Sequence, residues 1–200
     1  MSLYTRWAQK EHPQRRRVAA LILIAPLFLI ALPILVIAGG RRADRRLGLP
    51  RLNFGAANYV AGGLLSAAGM ALAQWSIYDQ LTRGRGTPLP LLPTQELLVR
   101  GPFRYCRNPM TLGTIMAYLG IAIAAGTISG AGLVAFLSGL LILYLKRVEE
   151  RELAERFGEP YLRYKQDVPF IIPRLTNKQA AESAEPREAN ERYVSNPVRR

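Results

Sequence analysis

Arg104-Tyr105-Cys106-Arg107-Asn108-Pro109-Met110 and Arg147-Val148-Glu149-Glu150-Arg151-Glu152 stand at the two ends of one uncharged stretch, and that arrangement decides the fold. Residues 110 to 145 carry no charge and are interrupted only around Gly126-Thr127-Ile128-Ser129-Gly130. Such a stretch is expected to cross a bilayer, turn and return. Its two flanks then meet at one membrane surface, which gathers arginines, an asparagine and carboxylates at a single polar mouth.

Working outward, half of the 200 residues are hydrophobic, and they are gathered into blocks rather than spread periodically, the pattern of a polytopic membrane protein. No charge occurs from Val18 to Ala38, which at about 1.5 Å per residue reaches across a hydrocarbon core of about 30 Å. Pro26 and Pro33 within it are kinks that a membrane helix tolerates. A cleaved signal peptide competes for this segment, since Arg15-Arg16-Arg17 precedes it, but the run is long for one and no small-x-small cleavage site leads into a soluble domain. A retained anchor is expected.

The formal charge of +13 raises nucleic acid as a partner, yet the basic residues lie beside apolar segments and lack interleaved aromatics for base stacking. Membrane lipid headgroups are the simpler partner. One cysteine excludes an internal disulfide, and one histidine with no cysteine cluster offers no zinc site, so no metal is expected.

The expected fold is therefore all-α, a polytopic transmembrane bundle of about four spans at 18–38, 54–76, 109–125 and 128–145, followed by an amphipathic helical segment. Four regions follow: a basic amino terminus (1–17), amino-terminal spans and loop (18–96), a site-bearing region with the helical hairpin (97–173) and a polar, disordered tail (174–200). Small residues such as Gly62, Gly69, Gly113 and Gly120 suit close helix packing. Lysine and arginine after 146 (Lys146, Arg147, Arg151, Arg156, Arg163, Lys165) put that region and the 77–108 loop on the cytoplasmic side. Residues 39–53 disagree, because five arginines fall in a loop that alternation makes external. Either this loop is an exception or one of the first two segments does not fully cross.

Asn108-Pro109 reads as a helix start, Asn being a favoured N-cap and Pro a favoured first residue. A helix N-terminus at the membrane surface suits a carboxylate or phosphate, and Arg104 and Arg107 add forked donors for the same anion. Simple capping and headgroup contact would explain these residues alone. On a wheel continued from the fourth span, however, Leu145, Glu149, Leu153 and Phe157 follow at i+4, which sets Glu149 in the apolar stripe, costly without a partner. Glu150 falls at the stripe's edge, where a surface ion pair with Lys146 accounts for it. Carboxylates opposite arginines and a helix N-terminus make a site for a zwitterion, and S-adenosylmethionine is one. Downstream, Gly158 stops the helix, Glu159-Pro160 opens a short amphipathic one, and 168–173 is a proline-bounded segment able to lie along the membrane as a lid. Tyr161 and Tyr164 are either interfacial anchors or part of the site.

Gly101-Pro102-Phe103-Arg104-Tyr105, Arg107-Asn108-Pro109-Met110, Glu149-Glu150, and the Phe157-Gly158, Tyr161 and Tyr164 run, in this order around a helical hairpin, resemble the isoprenylcysteine carboxyl methyltransferase and phospholipid methyltransferase superfamily. The resemblance covers 97–173. It implies a cytoplasmic S-adenosylmethionine pocket between the last membrane helices and the carboxy-terminal segment, with a lipid-accessible opening for an amphiphilic methyl acceptor. It assigns cofactor contact to Arg104, Tyr105, Arg107, Asn108, Pro109, Met110, Glu149, Glu150, Tyr161 and Tyr164, and catalytic work to Glu149 and Arg107. Two departures stand out: Asn108-Pro109 where the family often has His-Pro, and Thr111 where a tyrosine is expected.

Methyl transfer from a sulfonium needs alignment and exclusion of water, so positioning supplies much of the rate. An amine acceptor needs a base, for which a buried glutamate serves; a carboxylate acceptor needs none. Cys106 reads as space-filling. Two alternatives from other classes are an NADPH-dependent membrane reductase of related carboxy-terminal architecture and a non-catalytic membrane protein with a vestigial pocket.

Overall fold

The computed structural model describes residues 13–85, 87 and 94–174. The first twelve residues of the basic arm, Gly86 and the proline-rich 88–93 of the loop, and the tail from 175 onward lie outside the described residues. Among the described residues every regular element is helical.

Helix α1 (Arg15–Leu47) runs well past the expected 18–38. Wide π turns at Leu27–Ala31 and Leu35–Gly39 follow Pro26 and Pro33. Each proline lacks an N–H and crowds the preceding turn, and a turn with one extra residue absorbs that. Arg41, Arg42, Arg45 and Arg46, expected in a loop, are helical instead, and the helix ends where Gly48 turns left-handed at φ 65°. Hydropathy marks where apolar character stops, whereas arginine, alanine and leucine carry a helix onward until a glycine ends it. The reading of 39–53 as a loop is corrected accordingly, with Leu49 to Asn53 alone remaining irregular.

Helices α2 (Ala56–Thr82), α3 (Pro109–Ala125) and α4 (Ile128–Phe157) follow, then α5 (Glu159–Asp167). By length and composition α1, α2 and α4 can cross a membrane, three helices among the described residues against the expected four. α3 starts and stops where expected, but its 17 residues extend only about 25 Å, short of an average hydrocarbon core.

Contacts at the helix ends fix the arrangement. At one end Arg17 Nη1 donates to Leu81 O at 3.2 Å, so the start of α1 meets the end of α2. At the other, Asn58 Nδ2 donates to Leu52 O at 2.6 Å and to Ile123 O at 3.0 Å. There too the Thr127 hydroxyl and the Ser129 N–H donate to Asp44 at 2.6 and 2.8 Å. The four long helices therefore run up, down, up and down between the same two ends. α2 and α3 touch backbone to backbone: a Cβ added to Gly69 would lie 2.5 Å from Gly113 O. This is the packing that small residues allow between membrane helices.

α5 folds back on the end of α4, where Tyr161, Tyr164 and Val168 cluster with Leu97, Leu153, Ala154 and Phe157. The chain after α5 lies along the segment before α3. Arg107 N donates to Pro169 O at 2.9 Å, Asn108 N to Phe170 O at 3.1 Å and Arg174 N to Tyr105 O at 3.4 Å.

A cavity where the two halves of the motif meet

The arm before α3 begins at Gly101, with φ 58° and Asp79 Oδ2 lying 2.0 Å from where a Cβ would stand. Only glycine fits both constraints. A 3₁₀ turn at Gly101–Arg104 buries Pro102 and Phe103, and Cys106 is almost wholly enclosed. Burial pushes its thiol up to about 11, which keeps it neutral and agrees with a space-filling role. Asn108 occupies the N-cap position of α3, with Pro109 next, but its side chain caps nothing. Its Nδ2 donates to Phe170 O at 3.1 Å, tying the helix start to the carboxy-terminal strap.

Across from this arm, α4 contains a π turn at Leu145–Glu149. The extra residue rotates everything downstream by one position, so the face that a regular wheel gives to Glu149 belongs to Glu150. Glu150 is the buried, paired carboxylate. Its Oε1 accepts from Arg107 Nη1, and its Oε2 lies 2.7 Å from Lys165 Nζ. The expected surface pair between Glu150 and Lys146 is not formed; Lys146 Nζ stands 4.9 Å from the Phe170 ring centroid, on whose ring Arg107 also lies, at 5.6 Å. Glu149, expected to need a partner, forms no ion pair with any described residue.

A cavity of about 300 Å³ opens between these groups. It is lined by eight of the expected residues: Arg107, Asn108, Pro109, Met110, Glu149, Glu150, Tyr161 and Tyr164. Arg104 and Tyr105 are not in the lining; Arg104 is exposed and stacks on the Tyr105 ring at 4.9 Å. Tyr161 and Tyr164 are enclosed, 2% and 8% exposed, which excludes the interfacial-anchor reading. The Tyr164 hydroxyl donates to Phe103 O at 2.7 Å and joins α5 to the arm. Burial pushes the Tyr161 phenol up to about 12 and raises that of Tyr164, so both remain neutral donors through the physiological range.

Several cavity residues were invisible in the sequence. Phe28 of α1, Gln80 of α2, Thr114 of α3 and Tyr144 of α4 all line it, alongside Thr111. None sits in a motif, and only the helix crossings bring them together. Two buried polar atoms of this wall lack partners, the Nε of Arg107 and the Oε1 of Gln80, and beside them Glu149, half-buried, has no ion pair with any described residue. A buried donor or acceptor left unpaired costs about 1–3 kcal/mol, so a ligand that satisfies them would recover that energy.

The family described as phospholipid methyltransferase matches residues 57–160, which takes in α2, α3 and α4 and stops inside α5. No curated protein and no solved structure matches the chain.

Proposed function

This chain belongs to the phospholipid methyltransferase family of membrane methyltransferases acting on lipids, and on that premise we propose that it transfers a methyl group from S-adenosylmethionine to a lipid, isoprenoid or other small amphiphile at the cytoplasmic face. The observation that carries the reading is the cavity itself, where both halves of the split motif converge and two buried polar atoms, Arg107 Nε and Gln80 Oε1, have no partner among the described residues.

Those groups fit the cofactor's chemistry. The free Nε of Arg107 suits the carboxylate, while Glu149, which lines the same cavity, suits an ammonium. Tyr161, Tyr164, Asn108, Pro109 and Met110 complete the enclosure. When bound, S-adenosylmethionine supplies a methyl group on a sulfonium. The chain's own task is to hold acceptor and cofactor in line and keep water out, for which the apolar walls are suited, and the strap bonded to the Arg107 and Asn108 backbone fixes the arm that carries Arg107. Should the acceptor be an amine, unpaired Glu149 is the group placed to take its proton; a carboxylate acceptor needs no base.

In this reading α3 also spans, as the short fourth crossing of the bundle, and a short hydrophobic length is accommodated by local thinning of the bilayer. The cytoplasmic assignment rests on charge. The site end carries Arg83, Arg85, Arg100, Arg104, Arg107, Lys146, Arg147, Arg151, Arg156, Arg163 and Lys165, outnumbering Arg41, Arg42, Arg45, Arg46 and Arg51 at the other. The family match favours a methyltransferase over the reductase.

The test is equilibrium binding of S-adenosylmethionine and S-adenosylhomocysteine to purified protein, with NADPH alongside. Binding of both adenosyl ligands, lost in Arg107→Ala and Glu149→Gln, is expected. Binding of NADPH alone would move the protein to the reductases, and no binding would make the pocket vestigial.

A further inference from the structure

α1 lies outside the family match, yet Phe28 from its middle lines the cavity. Most of this helix faces outward, including Leu23, Leu27, Leu29, Ile30 and Ile34, so a residue of α1 that reaches an internal cavity must be placed by something particular. Two features do so. The π turn that starts at Leu27 widens the helix just after Pro26, and a wide turn loosens the regular backbone bonding. The Phe28 carbonyl there accepts a hydrogen bond from the Tyr118 hydroxyl of α3 at 2.7 Å. Residue 28 is thus pinned against the helix that bears Met110, Thr111 and Thr114, with its ring half-buried between cavity and lipid-facing surface.

On the proposed methyltransferase reading, we infer that Phe28 is a specificity-determining residue: its ring closes the membrane side of the cavity and sets how much of an acceptor's hydrocarbon chain is taken in. Thr111 is consistent with this, since a small side chain on the facing helix leaves volume that a larger residue would fill. The cofactor half of the cavity, around Arg107, Glu150 and Tyr161, is built from the arm before α3, from α4 and from α5, and does not involve α1. Chain selection and cofactor affinity are therefore separable.

The experiment uses the full chain in phosphatidylcholine nanodiscs and measures the affinity of lysophosphatidylethanolamines that lengthen two carbons at a time, with S-adenosylhomocysteine affinity measured in parallel. Affinities are expressed against lipid mole fraction in the disc, so the gain each methylene makes on leaving water cancels and the wall shows as the length beyond which binding weakens. The wild type should show a chain-length optimum, Phe28→Ala should shift it to longer chains and Phe28→Trp to shorter ones. Tyr118→Phe, which keeps the ring but removes its anchor, should broaden the optimum. S-adenosylhomocysteine affinity should stay within about twofold throughout. An optimum absent from the wild type, or unmoved in all three variants, overturns the inference. Failure of S-adenosylhomocysteine to bind the wild type overturns the cofactor reading instead, and the lipid series still reports on Phe28.

Discussion

Glu149 and Glu150 are adjacent and chemically identical, but the π turn gives them opposite work, and conservative replacement of each should show it. Glu150 is about one-tenth exposed and accepts from Arg107, whose side chain is equally enclosed, and from Lys165. Glu150→Gln removes the charge that both cations face and leaves the Arg107 guanidinium buried without its counterion. Removing one partner from a buried pair costs about 3–5 kcal/mol. Lys165 is 42% exposed and can turn to water, so its own share adds only about 0.5 kcal/mol. The expected loss for Glu150→Gln is therefore about 3–5 kcal/mol, a large part of the stability of a small domain. Glu149 has no ion-pair partner among the described residues, so Glu149→Gln should change stability by less than about 1 kcal/mol while weakening adenosyl-ligand binding. The assay is reversible unfolding in mixed micelles by increasing the denaturing-detergent fraction, followed by far-ultraviolet circular dichroism. Equal losses, or a larger loss at Glu149, would refute the reasoning, because they would mean that a regular helix, without the extra residue, carries the pair.

Other expectations test the frame around this pair. Gly69→Val should lower stability by at least about 2 kcal/mol, since its Cβ would lie 2.5 Å from Gly113 O, whereas Gly63→Ala on the same helix meets nothing and should be neutral or slightly stabilising; thermal unfolding of both variants decides it. Gly101→Ala should cost about 1–3 kcal/mol from its positive φ alone, more because Asp79 blocks the space, and the same melting experiment reads it. The Cys106 thiol ionises near 9.0 when free but near 11 when folded, so its contribution to stability is complete below pH 9 and drains away as pH rises toward 11; unfolding midpoints across that window should fall, and Cys106→Ala should flatten the fall.

Where a residue type dictates the backbone, the sequence was legible. Pro109 and Gly126 bound α3, Gly158 ends α4, and Glu159-Pro160 opens α5, all as expected from cap chemistry. The errors have one source, the assumption of regular period. A hydropathy window cannot see that α1 continues through its arginines, nor can a helical wheel see a π turn, because neither leaves a mark in the local pattern. Asn108 kept its cap position but gave its side chain to Phe170, a partner more than sixty residues away that no local rule could supply. The site was half legible for the same reason. Motif residues such as Arg107 and Met110 line the cavity, while Phe28 and Gln80 enter it only because the helices cross as they do.

The placing of the cavity follows from how α2 and α3 are packed. Gly62 against Gly120 and Gly69 against Gly113 bring the two backbones into contact, and Ser66 Oγ donates to Ala117 O at 3.0 Å between them. Backbones so close leave no volume for a ligand. Past Ala73 the small residues give way to Gln80 on α2, facing Thr111 and Thr114 near the start of α3, and the cavity opens there. Past that contact its wall is made by Arg107 of the arm, Glu149 and Glu150 of α4 and Tyr161 and Tyr164 of α5, and the strap from Pro169 to Arg174 is bonded to the arm that carries Arg107. The far end of the bundle is locked separately, by Asp44 accepting from Thr127 and Ser129. A helix pair held at its centre and at its far end can afford unsatisfied polar groups at the near end, because their cost falls where local stability is needed least and a bound ligand can supply the partners.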